Sequence, residues 1–195
     1  MATIGLNNFR YGKLLTETGE GTQPTYGTAK IPGKAISCSV DISSNDATLY
    51  ADDALVESDY SFQSGKVTIG IDEDDIQTMG HLLGHTVTST GTSPNITYTI
   101  TRNSNDTAPY VGLGRVITKM VNGVRQYKVE FLYKVKFSEP KAENNTRGES
   151  TEFGTCELEG TVSTLSDGRW SLAQVFPTKE AALTYLTGMF GSDPT

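Results

Sequence analysis

The chain has 195 residues, of which 36% are hydrophobic, enough for one substantial core and about one domain. Its formal net charge of -7 and pI near 4.8 argue against a surface that grips nucleic acid by neutralising phosphates, which needs clustered Lys and Arg. No stretch approaches the roughly 20 apolar residues of a membrane helix, and the opening MATIGLNNFRYG lacks the basic region and apolar run of a secretory signal, so neither is expected.

Aromatic and β-branched residues recur in short alternating runs between Gly-rich turns, which predicts a mainly β chain. Residues 1–33 read as an arm interrupted by Gly, Thr and Pro, with short strands around 9–15 and 26–30; alone it would be loosely ordered. Residues 35–42 form the first firm strand, with Ile36, Cys38, Val40 and Ile42 on one face and Ser37, Ser39 and Asp41 on the other. After a turn at 43–46, a strand at 47–51 is broken by Asp52 and Asp53. Adjacent carboxylates invite a metal or acid–base reading, but neighbours in an extended chain point to opposite faces, so a solvated turn before Leu55 and Val56 is expected. Residues 59–62 and 66–71 read as a hairpin around Gln63-Ser64-Gly65.

Residues 72–84 are the best internal helix. Ile76, Met79 and Leu83 repeat at helical spacing, acidic residues crowd the first turn where the macrodipole favours them, and Gly84 supplies a stop. The only histidines, His81 and His85, lie four apart here beside Asp72, Glu73, Asp74 and Asp75. A zinc-protease helix needs Glu directly after the first His, where this chain has Leu82, and an EF-hand needs an oxygen ligand where it has Ile76. They are read as surface histidines at a helix end, with no metal and no cofactor.

A strand at 95–102, alternating Ile96, Tyr98 and Ile100, precedes the clearest local feature of the chain, YVGLGRVITKMVNGVRQYKVEFLYKVKF. Its Asn122-Gly123 pair is the preferred two-residue hairpin turn, because both central positions need positive φ. Pairing outward from Val121 opposite Val124 sets Thr118 against Tyr127, Val116 against Val129, Gly114 against Phe131 and Gly112 against Tyr133 on one face. That face is apolar, and its glycines leave room for rings to lie across the neighbouring strand. The other face sets Lys119 against Gln126, Ile117 against Lys128, Arg115 against Glu130 and Leu113 against Leu132; half charged, it is expected to meet water or a partner. The second strand keeps a single alternation from Tyr127 to Phe137, longer than the usual five or six residues. An unpaired edge of that length is an aggregation hazard, which pairing with other copies in a closed ring would remove.

A polar loop at 138–150, SEPKAENNTRGES, is long enough to have a functional reason. Strands follow at 151–162 and, past a turn at Ser166-Asp167-Gly168, at 169–176 with the lone Trp170 near its start. Residues 177–191 make a last helix, capped by Thr178 with Glu180 in its first turn. Its Ala182, Leu186, Met189 and Phe190 stripe is expected to pack on the sheet. Cys38 and Cys156 sit inside strand patterns and read as small buried thiols in a reducing cytoplasm. The sequons at Asn95, Asn105 and Asn144 read as coincidences of Asn/Thr-rich loops.

The order and spacing of NNFRYGKLL, PTYGTAKIPG, LYADDALVE, the hairpin run and TRGESTEF resemble the major tail protein family of long-tailed bacteriophages, especially those of Gram-positive hosts. The resemblance covers nearly the whole chain. It implies a single tail-tube domain over 1–195: a β-sandwich or partial barrel with a helix packed outside, assembling as hexameric rings stacked into a tube through which DNA leaves the virion. It further implies a subunit made in the host cytoplasm that ends in the tail of the virion. Its partners would be further copies of itself and the tape-measure, distal tail and tail terminator proteins; DNA would pass without specific binding, and no membrane is involved. By that resemblance the arm at 1–33 reaches neighbouring subunits. Gly112, Gly114, Arg115, Lys119, Lys128, Glu130, Phe131 and Tyr133 serve ring and tube assembly, with the charged four a candidate lumen lining. Glu143, Asn144, Asn145, Arg147 and Glu149 serve contact between stacked rings.

Other readings compete with this one. No nucleophile elbow or P-loop occurs, and Gly112-Leu113-Gly114 lacks the third glycine of a dinucleotide fingerprint, so no enzyme is expected. A hydrolase would have to use Asp52, Asp53 and a histidine. A monomeric β-sandwich that binds carbohydrate would need a row of exposed aromatics, whereas those here mostly alternate inward.

Overall fold

The computed structural model describes residues 2–17, 19, 22–45, 47–51, 54–141 and 155–191. It is mainly β, as the composition implies. In chain order the strands begin with β1 (Ala2–Thr16), β2 (Thr25–Tyr26), β3 (Ala35–Ser44), β4 (Ala47–Ala51), β5 (Ala54–Asp59) and β6 (Phe62–Ile71). Helix α1 (Ile76–Leu83) follows, then β7 (Thr86–Thr90), β8 (Thr97–Thr101), β9 (Val111–Val121), β10 (Val124–Phe137), β11 (Cys156–Val162), β12 (Ser171–Phe176) and helix α2 (Lys179–Gly188).

One antiparallel sheet carries the molecule, in the order β2-β1-β9-β10-β11-β6-β3, with β12 also paired to β10. The hairpin β9–β10 stands at its centre. Asn122 and Gly123 both take positive φ, 50° and 80°, and the pairs run outward from Val121 and Val124 through Leu113 and Leu132 in the expected register. The sheet curls until β1 and β3 come together, and the inward side chains form a first core of Phe9, Val67, Ile69, Val111, Leu113, Val135, Leu158 and Val162. Helix α1 adds Met79, Leu82 and Leu83 to it. A second core lies on the outer face of the hairpin, where Val116, Val129, Phe131 and Tyr133 meet Tyr26 and, from α2, Ala182 and Leu186. Each large side chain so buried contributes about 1.5–3 kcal/mol, so α2 is held by packing more than by its own helix propensity.

A bulge divides the second hairpin strand. After Leu132 opposite Leu113 the next pair is Val135 opposite Val111, which sets Tyr133 and Lys134 against Gly112 alone. The expected Gly112–Tyr133 pair therefore does not form, and the single alternation from Tyr127 to Phe137 is broken. Phe131 and Tyr133 face the outer core, while Val135 and Phe137 face the inner one.

Several expectations are corrected. Residues 2–16 are no loose arm but the longest strand, paired with β9 from Ala2–Met120 to Lys13–Val111 and placing Phe9 and Tyr11 in the inner core. Gln63-Ser64-Gly65 is not a turn: it lies within β6, where Gly65 opposes Ile42 on one side and Val162 on the other. The hairpin in that region is instead β4–β5, a separate ribbon. Helix α1 starts at Ile76, with Asp75 as its cap accepting from the Thr78 amide, so the acidic residues precede the helix rather than fill its first turn. Strand β7 was not expected; it pairs with β8 in a second ribbon on which Tyr98 is exposed, as is Ile96 just before it.

Candidate functional site

The residues assigned to assembly lie on the two faces of β9–β10, and both faces are occupied within the chain. On the outer face Gly112 and Gly114 do what their positions suggested. A Cβ on Gly112 would stand 2.6 Å from Tyr26 Cε1 and 2.7 Å from Phe131 Cζ, and one on Gly114 only 2.2 Å from Leu186 Cδ1. The space they leave is filled by edge-on rings, Phe131 packing on Tyr26, Tyr133 and Phe190 with centroids 5.3, 5.6 and 5.4 Å away. The Tyr26 hydroxyl donates to the Tyr133 carbonyl at 2.8 Å, and burial pushes its pKa up, so it stays a donor.

On the inner face Arg115, Lys128 and Glu130 meet one another. Arg115 donates through Nε to Glu130 Oε2 at 2.9 Å and again through Nη2, while Lys128 bonds the other oxygen. Their side chains are only 16%, 24% and 22% exposed. They floor a cleft of about 350 Å³ whose walls include Val40, Ile42, Leu113, Leu132, Trp170 and Leu172. Burial pushes the Glu130 carboxyl up, but the hydrogen bonds from Lys128 and Arg115 outweigh it and hold the pKa below the usual range. Arg115 also reaches the Cys38 thiol, whose pKa burial raises despite the guanidinium. The charged face is thus a part-buried ion-pair cluster at the floor of that cleft; Lys119, nearer the turn, is half-buried.

The hairpin edges are occupied as well. β9 pairs with β1 along its length, and β10 pairs with β12 from Tyr127 to Leu132 and with β11 from Val135 to Phe137. The hairpin is central and leaves no open edge of its own for strand pairing with another copy, so that premise of its assembly role is corrected. Glu143, Asn144, Asn145, Arg147 and Glu149 lie outside the described residues, as do Asp52 and Asp53.

Sequence reasoning missed the densest polar cluster. His85 is not a surface residue: its side chain is 6% exposed, with Nδ1 donating to Asp106 Oδ2 at 2.7 Å and Nε2 to Glu139 Oε1. Asp106 in turn accepts from the Asn103 amide at 2.9 Å, and Arg102 lies 3.9 Å from Glu139. The three partners come from the end of α1, the β8–β9 loop and the end of β10, so no sequence spacing announced them. His81 is exposed and bonded by Lys30. Among the described residues no group of three or more His, Cys, Asp or Glu is arranged to hold a metal ion. Cys38 and Cys156 are free, half-buried thiols on opposite sides of β6. Among the described residues no helix is long and apolar enough to cross a membrane. No protein-family model matches the chain, and no curated protein is similar enough to match it.

Proposed function

We propose that the chain is a structural, self-assembling subunit, the tail-tube protein of a long-tailed bacteriophage, which forms stacked rings around a channel for DNA. The observation that carries this reading is the fold: a curled antiparallel sheet centred on the hairpin, with a terminal helix packed on its outer face. That architecture agrees with what the sequence resemblance implies. The net charge of -7 argues against a surface that grips DNA and is compatible with a conduit, whose lining must let DNA pass without sticking.

The occupied hairpin changes how the rings would form. Contact between copies falls to other surfaces: the edge of β3, the free side of β12 and the connection between β10 and β11. Among the described residues the exposed tyrosines, Tyr60, Tyr98 and Tyr110, lie on three separate segments and lend carbohydrate recognition no specific support. The test is negative-stain electron microscopy of the purified protein at high concentration, with light scattering alongside. Rings or hollow tubes of uniform width are expected; a monodisperse monomer even in the presence of preformed tail-tip complexes would sink the reading.

A further inference from the structure

His85 needs a proton on both ring nitrogens to make the contacts it makes, since each faces a carboxylate oxygen, and only the imidazolium donates twice. The ring is almost wholly buried, yet Glu139, at one end of it, is half exposed. The two carboxylates are not held equally. Asp106 is fixed by the Asn103 amide as well as by His85, whereas among the described residues Glu139 is held by His85 and a distant Arg102. Among the described residues the other charges near the ring are Lys13, Lys30 and His81, which line the neighbouring cavity of about 520 Å³, and Lys30 is engaged with His81.

We propose that His85 is a proton-operated latch, which as imidazolium ties the root of the β10–β11 connection, through Glu139, to the β8–β9 loop, through Asp106. When the ring gives its Nε2 proton to solvent, Nδ1 keeps its hydrogen bond to Asp106. The bare Nε2 lone pair then faces the Glu139 carboxylate, and Glu139 swings into water. The partners raise the ring's pKa above its ordinary value near 6.5, the Asp106 hydrogen bond most, with burial opposing and Glu139 adding to it. A raised folded pKa means that the latch's stabilisation is fully present below about pH 6.5 and is lost as pH rises through the folded value. Residues 139–141 are therefore pinned in mild acid and released above it, while Ser138 stays bonded to the Glu159 carbonyl of β11. Nothing in the latch depends on the tube reading; if both hold, ring stacking acquires a pH dependence.

The test uses the full chain in dilute solution, where assembly plays no part. Nitrogen-15 NMR of the His85 ring reports its protonation from pH 5 to 9, and the backbone heteronuclear NOE of Glu139 and Lys141 reports release. The expected result is a doubly protonated ring at pH 6, loss of the Nε2 proton above it, and a fall in the NOE with the same midpoint. Glu139→Gln should lower the midpoint and abolish the NOE step while leaving the fold intact; His85→Gln should abolish the step as well. A neutral His85 at pH 6, a flat NOE profile, or an unchanged step in Glu139→Gln would each overturn the proposal.

Discussion

A Cβ on Gly114 would stand 2.2 Å from Cδ1 of Leu186, a distance no pair of carbons tolerates, so the absent side chain is what lets α2 seat on the sheet. Gly114→Ala is expected to destabilise by about 1–3 kcal/mol through overpacking, and Leu186→Ala by about 2–5 kcal/mol through the cavity it leaves. The added methyl of one occupies the space lost by the other, so the double variant should cost less than the sum by about 1 kcal/mol. Urea unfolding of the four proteins measures this; strict additivity would mean that the two positions do not share that space. On the opposite face Glu130 holds two cations at once. Glu130→Gln should cost about 1–3 kcal/mol near neutrality, because it leaves the cations half-buried against a neutral group. The sign with pH follows from its lowered pKa: the carboxylate's stabilisation is present above the unfolded value, about 4.3, and is lost as pH falls through the folded one. The stability difference between wild type and variant should therefore shrink as pH drops below about 4, as read from unfolding midpoints across that range. At this scale the sequence was legible where the reason was local: Gly112 and Gly114 opposite aromatic residues announced ring packing. Arg115 opposite Glu130 was legible as a pair but not as a part-buried one, because Val40, Ile42 and Trp170, which line the same cleft, lie on distant segments.

The hairpin register was readable because two residues set it: Asn122 and Gly123 accept positive φ, and every pair to Leu132 follows. The bulge was not, because Tyr133, Val135 and Phe137 continue the alternation in sequence while the backbone shifts by one. β1 was hidden for a related reason. Its Asn8 takes a φ of 54° and its register slips between Asn7 and Arg10, so the apolar pattern that marks a strand is interrupted, and its partner β9 is distant in the chain, from Lys13 opposite Val111 to Ala2 opposite Met120. The bulge has a measurable consequence. Deleting Lys134 would remove the extra residue and restore simple alternation, so that Leu132 opposite Leu113 and Val135 opposite Val111 become successive same-face pairs of a regular ladder while Val135 and Phe137 stay in the inner core. What is lost is the local twist of the bulge and the hydrogen bond from the Ser163 amide to the Lys134 carbonyl, a cost of about 1–3 kcal/mol that leaves the fold standing. The deletion should keep a cooperative thermal transition by circular dichroism at a lowered midpoint, whereas Lys134→Ala, which keeps the spacing and removes the ion pair to Glu17 and the cation–π contact with Tyr110, should melt within a few degrees of wild type. Loss of the cooperative transition in the deletion protein would show that the fold depends on the bulge itself.

At the scale of the whole molecule, two cores share one hairpin, and that arrangement decides which surfaces are left over. β9 and β10 have their backbone edges filled by β1, β11 and β12, so any strand pairing between copies must use an edge elsewhere. Among the described residues β3 pairs only with β6, and it carries Ile36, 52% exposed, and Ile42 on the face that curls toward the cleft. An edge strand of ten residues with exposed isoleucines is what a monomer ordinarily blunts with charge. Ile36→Lys supplies that charge where little is packed. It is expected to change the stability of the isolated subunit by no more than about 0.5 kcal/mol, yet to raise the concentration at which rings or tubes form by tenfold or more, about 1.4 kcal/mol per contact. Sedimentation of wild type and variant over a concentration series separates these effects, because a folding defect would lower the unfolding midpoint and an interface defect would not. Tubes appearing at the same concentration from the variant would exclude the Ile36 end of β3 from the interface and point to the other edges of the main sheet among the described residues, the side of β12 away from β10 and the side of β1 beyond its short pairing with β2.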